Sequence, residues 1–118
     1  MNLSDLASIA RTAGRLTADA EQNPLRYWKP TQIQKQVLED RHQIVLFRAG
    51  NQIGKTVCGA FDTICRCLGM HPFKPVPPPP IEAWVICHSW EQSRTIMGKF
   101  HELVPKHELH PSVEFARG

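Results

Sequence analysis

Ala49-Gly50-Asn51-Gln52-Ile53-Gly54-Lys55-Thr56 is the stretch of this chain whose residue types and spacing point most directly to chemistry. It lies between a short apolar run and an amphipathic segment, the setting of a loop that passes from a buried strand into a helix and holds phosphates. In such a loop the backbone N–H groups and the helix N-terminus face the anion, and the helix dipole favours its negative charge. Gly54 lets the backbone approach closely, Lys55 reaches the β- and γ-phosphates, and the Thr56 hydroxyl is a ligand for Mg²⁺. Gly50, Asn51, Gln52 and Ile53 complete the nucleotide-contacting loop. The G-x4-GK[ST] pattern asks for glycine at position 49; alanine stands there, with Gly50 one step later. The bland alternative is a chance Gly-Lys-Thr at a helix start, and the flanking run and amphipathic segment argue against it.

Two further side chains are candidates for the same chemistry. Gln32 lies 22 residues before Gly54, and a glutamine amide can read adenine by accepting from its exocyclic amine and donating to N7; a solvated glutamine near a helix start is the plain alternative. Arg48, immediately before the loop, would stabilise charge developing on the γ-phosphate, against a surface ion pair as the other reading. The four cysteines, Cys58, Cys65, Cys67 and Cys87, form no CxxC pair. Three of them fall in one helical stretch, and all four read as reduced thiols. His88 beside Cys87 reads as a strand end rather than a metal pair.

These residues need elements to position them. Leu3, Leu6, Ile9, Ala10, Ala13 and Leu16 recur at three-to-four spacing, which predicts a weakly amphipathic helix over residues 3–20, ended by Asn23-Pro24. Thr31-x-x-Gln34 is a capping box that starts a second helix, running to about Asp40. Gln43–Arg48 is a nearly continuous apolar run of the kind that marks a strand buried on both faces of a parallel sheet. Lys55 to Leu68 carries Val57, Phe61, Ile64 and Leu68 on one stripe, and Gly69 is placed to end that helix. Pro72–Pro80 holds six of the ten prolines and predicts an extended connector, a stiff loop rather than an SH3-type ligand. Ala83–Cys87 predicts a second buried strand. Ser89-Trp90-Glu91-Gln92 predicts another capping box, opening a helix that Pro105 ends. The order strand, helix, strand, helix predicts an α/β fold with a parallel sheet and crossover helices.

Length and charge bound the rest. At 118 residues, with 42% hydrophobic and 21% charged residues, the chain has the composition of one globular domain. The net charge of +3 from 14 basic and 11 acidic residues permits a polyanionic partner without arguing for one. Nothing approaches the roughly 18 apolar residues of a membrane span, and the first residues lack the basic and apolar regions of a secretory signal.

Lys29-Pro30-Thr31-Gln32, followed by Phe47–Thr56 and later by Ala83–Ser89 with Glu91, Gln92 and Arg94, resembles the start of the large terminase subunit of tailed bacteriophages, over about residues 26–104. The resemblance implies a P-loop NTPase fold of the RecA-like (ASCE) kind, a parallel sheet flanked by helices. It also implies an ATP- and Mg²⁺-dependent motor that drives double-stranded DNA into a procapsid. Gln32 would read adenine, and Gly54, Lys55 and Thr56 would hold the phosphates and metal. The partners implied are the portal protein and the small terminase subunit, with a homo-oligomeric ring, in the host cytoplasm or at the portal vertex. Many members carry arginines in the loop where this chain has Asn51 and Gln52, so no loop-arginine role is carried over, and Arg48 is only a substitute. A Walker B strand ending in aspartate and glutamate does not occur: Glu82 precedes its apolar run and Glu114 follows none. The expectation is therefore an N-terminal piece of a larger protein. It would comprise a helical arm over 1–24 and an incomplete ATPase domain over 25–118, inactive in hydrolysis by itself. The alternatives are another P-loop ATPase such as a helicase-like protein or small kinase, and a non-catalytic nucleotide- or DNA-binding module.

Overall fold

A computed structural model describes residues 2–48, 50 and 54–111. The described residues form five α-helices: α1 (Leu3–Gln22), α2 (Pro24–Tyr27), α3 (Gln32–Glu39), α4 (Lys55–Leu68) and α5 (Trp90–Leu103), followed by a 3₁₀ turn at Lys106–Glu108. There is no strand among them, so the expected parallel sheet flanked by helices is replaced by a helical arrangement.

The correction has a physical reason. An extended run becomes a strand only when its backbone N–H and C=O groups pair with a neighbour. Residues 43–48 and 83–87 are instead non-helical and unpaired in any ladder, and most of them lie on the outside: Ile44 is 89% exposed, Leu46 79%, Trp84 80% and Ile86 87%, while Phe47 and Cys87 are half-buried. The buried core is made by helix-on-helix packing, with Phe47 the one residue of the two runs that packs against it. Cys58, Ala60, Phe61, Ile64 and Cys65 of α4 are buried together with Leu38 of α3 and Leu103 of α5. α4 packs mainly on α5 and then on α3.

Local signals determine the helix ends. Asn2 caps α1 by accepting from Asp5 N–H at 2.9 Å, and the Asp5 carboxylate accepts from Asn2 N–H at 3.3 Å. Thr31 and Gln34 form the same reciprocal pair at the start of α3. At α5 only half of the expected box forms. Ser89 Oγ accepts from Gln92 N–H at 3.1 Å, while Gln92 Oε1 accepts from His88 N–H, one residue earlier than expected, also at 3.1 Å. Gly69, at φ 70°, ends α4 by letting Met70 N–H donate back to the Cys65 carbonyl at 3.0 Å.

The proline-rich segment is more than a spacer. Phe73 packs on Phe61 with ring centroids 6.1 Å apart, and Trp28 lies on the same ring at 4.5 Å. A Cβ on Gly69 would meet Pro79 Cδ at 2.6 Å. α1 has no buried residue; it is tied down at its C-terminal end, where Asp19 accepts from Asn23, Arg26 and the Tyr27 hydroxyl.

Candidate functional site

The N-terminus of α4 is built on Gly54. This residue is the helix N-cap in the left-handed region, at φ 77° and ψ 39°, a conformation open to glycine at little cost. The first bond of the helical ladder is donated by Cys58 N–H to the Gly54 carbonyl at 3.0 Å. Among the described residues no side chain caps this end. The N–H groups of Lys55, Thr56 and Val57 therefore precede the ladder, as the first donors of any helix do.

Lys55 is half-buried and lines a cavity of about 1070 Å³ along the flank of α4. Lys55, Gly59, Asp62 and Arg66 contribute to its wall at helical spacing, a stripe about 16 Å long at 1.5 Å per residue. Arg41, Val45 and Phe47 face them from the segment after α3, and Lys74 comes from the proline-rich segment. The described lining thus brings Arg41, Lys55, Arg66 and Lys74 around a single carboxylate, Asp62, and suits an anionic ligand.

Asp62 is already occupied. Its Oδ1 accepts from His71 Nε2 at 2.9 Å and faces Lys74 Nζ at 3.3 Å, while Oδ2 accepts from Arg66 Nε at 2.9 Å. Burial pushes the Asp62 carboxyl up, but the hydrogen bonds from His71 and Arg66 and the charge of Lys74 outweigh it and leave it below the usual carboxylate range. Lys74 Nζ also donates to the Asp40 carbonyl at 3.0 Å, tying the proline-rich segment to the end of α3. The His71 side chain is 0% exposed. Its Nδ1 accepts from Phe73 N–H at 3.2 Å, so the neutral ring with hydrogen on Nε2 satisfies both bonds. Burial lowers its pKa, and the Asp62 carboxylate opposes that only in part. Burial, helped by the Asp62 charge, pushes the Cys58 thiol up to about 11 and Cys65 to about 12, so neither is a thiolate nucleophile at neutral pH. All four cysteines are free.

The sequence-derived candidates divide into three groups. Gly54 and Lys55 stand together at the cavity end of α4, with Thr56 exposed beside them. Gln32 is the exposed first residue of α3, and neither it nor exposed Arg48 lines the cavity. Gly50 is exposed, with open space where a Cβ would be. Asn51, Gln52 and Ile53 lie outside the described residues.

Sequence reasoning passed over the Asp62–Arg66–His71–Lys74 network and Arg41. Asp62 and Arg66 were within reach, seven and eleven residues after Lys55 on one helix face; Lys74 and Arg41 carry no local signal. It also placed Gln34 only in a cap, whereas Gln34 Nε2 donates to the Gly54 carbonyl at 3.0 Å.

For Mg²⁺, the described residues offer the Thr56 hydroxyl, with Asp62 committed to three cationic or N–H partners. A metal here would take most of its ligands from phosphate oxygens and water, as Mg²⁺ commonly does. No group of three or more His, Cys, Asp or Glu among the described residues is placed to hold a metal. No described helix is long and apolar enough to cross a membrane. No known family model, curated protein or solved structure matches the chain.

Proposed function

We propose that Gly54, Lys55 and Thr56 bind the phosphates of ATP, and that the chain is the ATP-binding part of a DNA-packaging motor of the terminase large-subunit kind. The observation that carries the reading is a helix N-terminus capped by a left-handed glycine, with Lys55 turned into a cation-lined cavity. The helix N-terminus supplies a favourable dipole, Lys55 supplies the charge, and Arg41, Arg66 and Lys74 add a favourable field along the cavity. Mg²⁺ bound with the nucleotide would neutralise phosphate charge, with Thr56 as its protein ligand. The motor, its double-stranded DNA, its portal and small-subunit partners and its ring assembly rest on the motif resemblance alone.

Titration of the chain with Mg·ATP, followed calorimetrically, tests the phosphate site. Lys55→Ala removes a charge-assisted contact worth about 1.5–3 kcal/mol, so affinity is expected to fall roughly 10- to 100-fold. Equal affinities for the two proteins would contradict the assignment.

One observation favours binding without turnover by these residues. Asp62, the carboxylate in the described lining, is held by His71, Arg66 and Lys74 and is not placed to activate water. Lack of a positioned base typically costs about 10²–10⁴-fold in rate. Steady-state phosphate release near background is therefore expected, and robust release abolished by Lys55→Ala would overturn that second reading.

A further inference from the structure

Two extended segments, residues 43–48 and 82–87, carry complementary patterns. In the first, Val45 and Phe47 lean on α4 across the cavity, while Ile44 and Leu46 stand outward. In the second, Val85 and Cys87 line a small cavity with Ile96, Met97 and Phe100 of α5, while Trp84 and Ile86 stand outward. Val45 is 41% exposed and Val85 50%, well below the outward four. Both segments therefore alternate as strands do, with an apolar face left open. Among the described residues no hydrogen bond involves the backbone of 44–48 or of 83–87. Each presents a row of unused donors and acceptors with no proline or lysine to blunt it, a template for another strand.

Laid antiparallel, the two segments match residue for residue. Ile44 falls opposite Ile86, Val45 opposite Val85, Leu46 opposite Trp84 and Phe47 opposite Ala83. Arg48 then faces Glu82, an opposite-charge pair at the end of the ladder. In this register the outward residues share one face and the helix-facing residues the other; a slip of one residue would lose both matches. Neither Arg48 nor Glu82 has an ion-pair partner among the described residues. Glu82 accepts from the Trp84 indole N–H at 2.8 Å.

Both halves of the match lie on every chain, and within one chain they form no ladder. We propose that two copies associate by antiparallel pairing of residues 43–48 of one with 82–87 of the other, reciprocally about a two-fold axis. The helical fold of each copy is unchanged, and the inference does not depend on the phosphate reading.

Sedimentation of the whole chain at concentrations up to millimolar tests the pairing. The native chain is expected to run as a dimer when concentrated and as a monomer when diluted. Arg48→Glu alone, or Glu82→Arg alone, sets like charges opposite each other in both ribbons, so dimerisation should weaken roughly 10- to 30-fold. In an equimolar mixture of the two variants every position 48 again meets its opposite charge at position 82, and near-native dimerisation should return. Only a contact between chains is repaired by mixing.

A native chain that stays monomeric at millimolar concentration would overturn the proposal, and species larger than a dimer would overturn its two-fold arrangement. So would single variants that dimerise like the native chain, or a mixture that shows no recovery. Amide hydrogen exchange of the native chain locates the interface independently of any variant. Protection that grows with concentration should fall on 44–48 and 83–87, whereas protection confined to the leucine stripe of α1 would contradict the assignment.

Discussion

Gly54 carries two constraints at once, one from its own backbone and one from its neighbour. At φ 77° a residue with a Cβ pays about 1–2 kcal/mol relative to glycine, and that Cβ would also press on Gln34 Nε2 at 2.5 Å. Gly54→Ala is therefore expected to lower stability by roughly 2–3 kcal/mol, the upper part coming from the displaced amide bond. Equilibrium urea unfolding measures it, and a loss under about 0.5 kcal/mol, the scale of a neutral surface change, would mean that the turn relaxes freely. The Gly54-Lys55 pair was legible in the sequence because its chemistry is local: a glycine, a cation and a helix start in adjacent positions. Gln34 was half legible. Its place as the third residue of a capping box was clear from Thr31, but its bond to Gly54 depends on α3 meeting α4 and has no local signature. Gln32, two residues earlier, has the more familiar spacing and points to solvent.

Among the elements, helices declare themselves through caps and periodicity, and the chain does so at Asn2, Thr31, Ser89 and Gly69. Apolar runs are poorer guides. Ile44–Phe47 and Trp84–Ile86 have the composition of buried strands, yet composition does not provide a partner, and the fully buried residues come from α3, α4 and α5, with only Phe47 of the two runs packed against them. The joint between α4 and the proline-rich segment was equally silent in sequence, because Asp62, His71 and Lys74 meet only after the chain turns at Gly69. That joint predicts a pH dependence. His71 is held neutral, with a folded pKa below its usual 6.5, so the unfolded chain binds the extra proton first. Stability is then flat above about pH 6.5 and falls as pH drops below it. The added proton would sit on Nδ1, against Phe73 N–H, with Lys74 and Arg66 adding positive charge around Asp62. Asp62, whose folded pKa is also lowered, keeps its contribution above its unfolded value near 3.8 and loses it only at stronger acid. Urea midpoints measured between about pH 7.5 and 5 should fall with acid in the native chain and flatten in His71→Gln; an unchanged slope in the variant would assign the effect to another group.

At the scale of the whole molecule the chain is long for its size, 56 by 33 by 32 Å with a radius of gyration of 17.2 Å, against about 13.5 Å for a compact domain of this length. α1 has no buried residue, and its Leu3, Leu6, Ile9 and Leu16 are exposed. Stability should accordingly be concentrated around Phe61, where α4, Trp28 and Phe73 converge. Phe61→Ala is expected to cost about 3–5 kcal/mol, whereas Ile9→Ala should fall within about 0.5 kcal/mol of the native chain. Comparable losses in urea unfolding would mean that α1 packs into the core after all. The central claim is that the N-terminus of α4 receives phosphates, and a ¹H–¹⁵N spectrum of the whole chain titrated with Mg·ATP tests it most directly. The backbone amides of Lys55, Thr56 and Val57 should shift first and furthest, and Lys55→Ala should abolish the response. Shifts centred on Gln32 or Arg48 with these three amides unmoved, or no shifts at millimolar nucleotide, would contradict it.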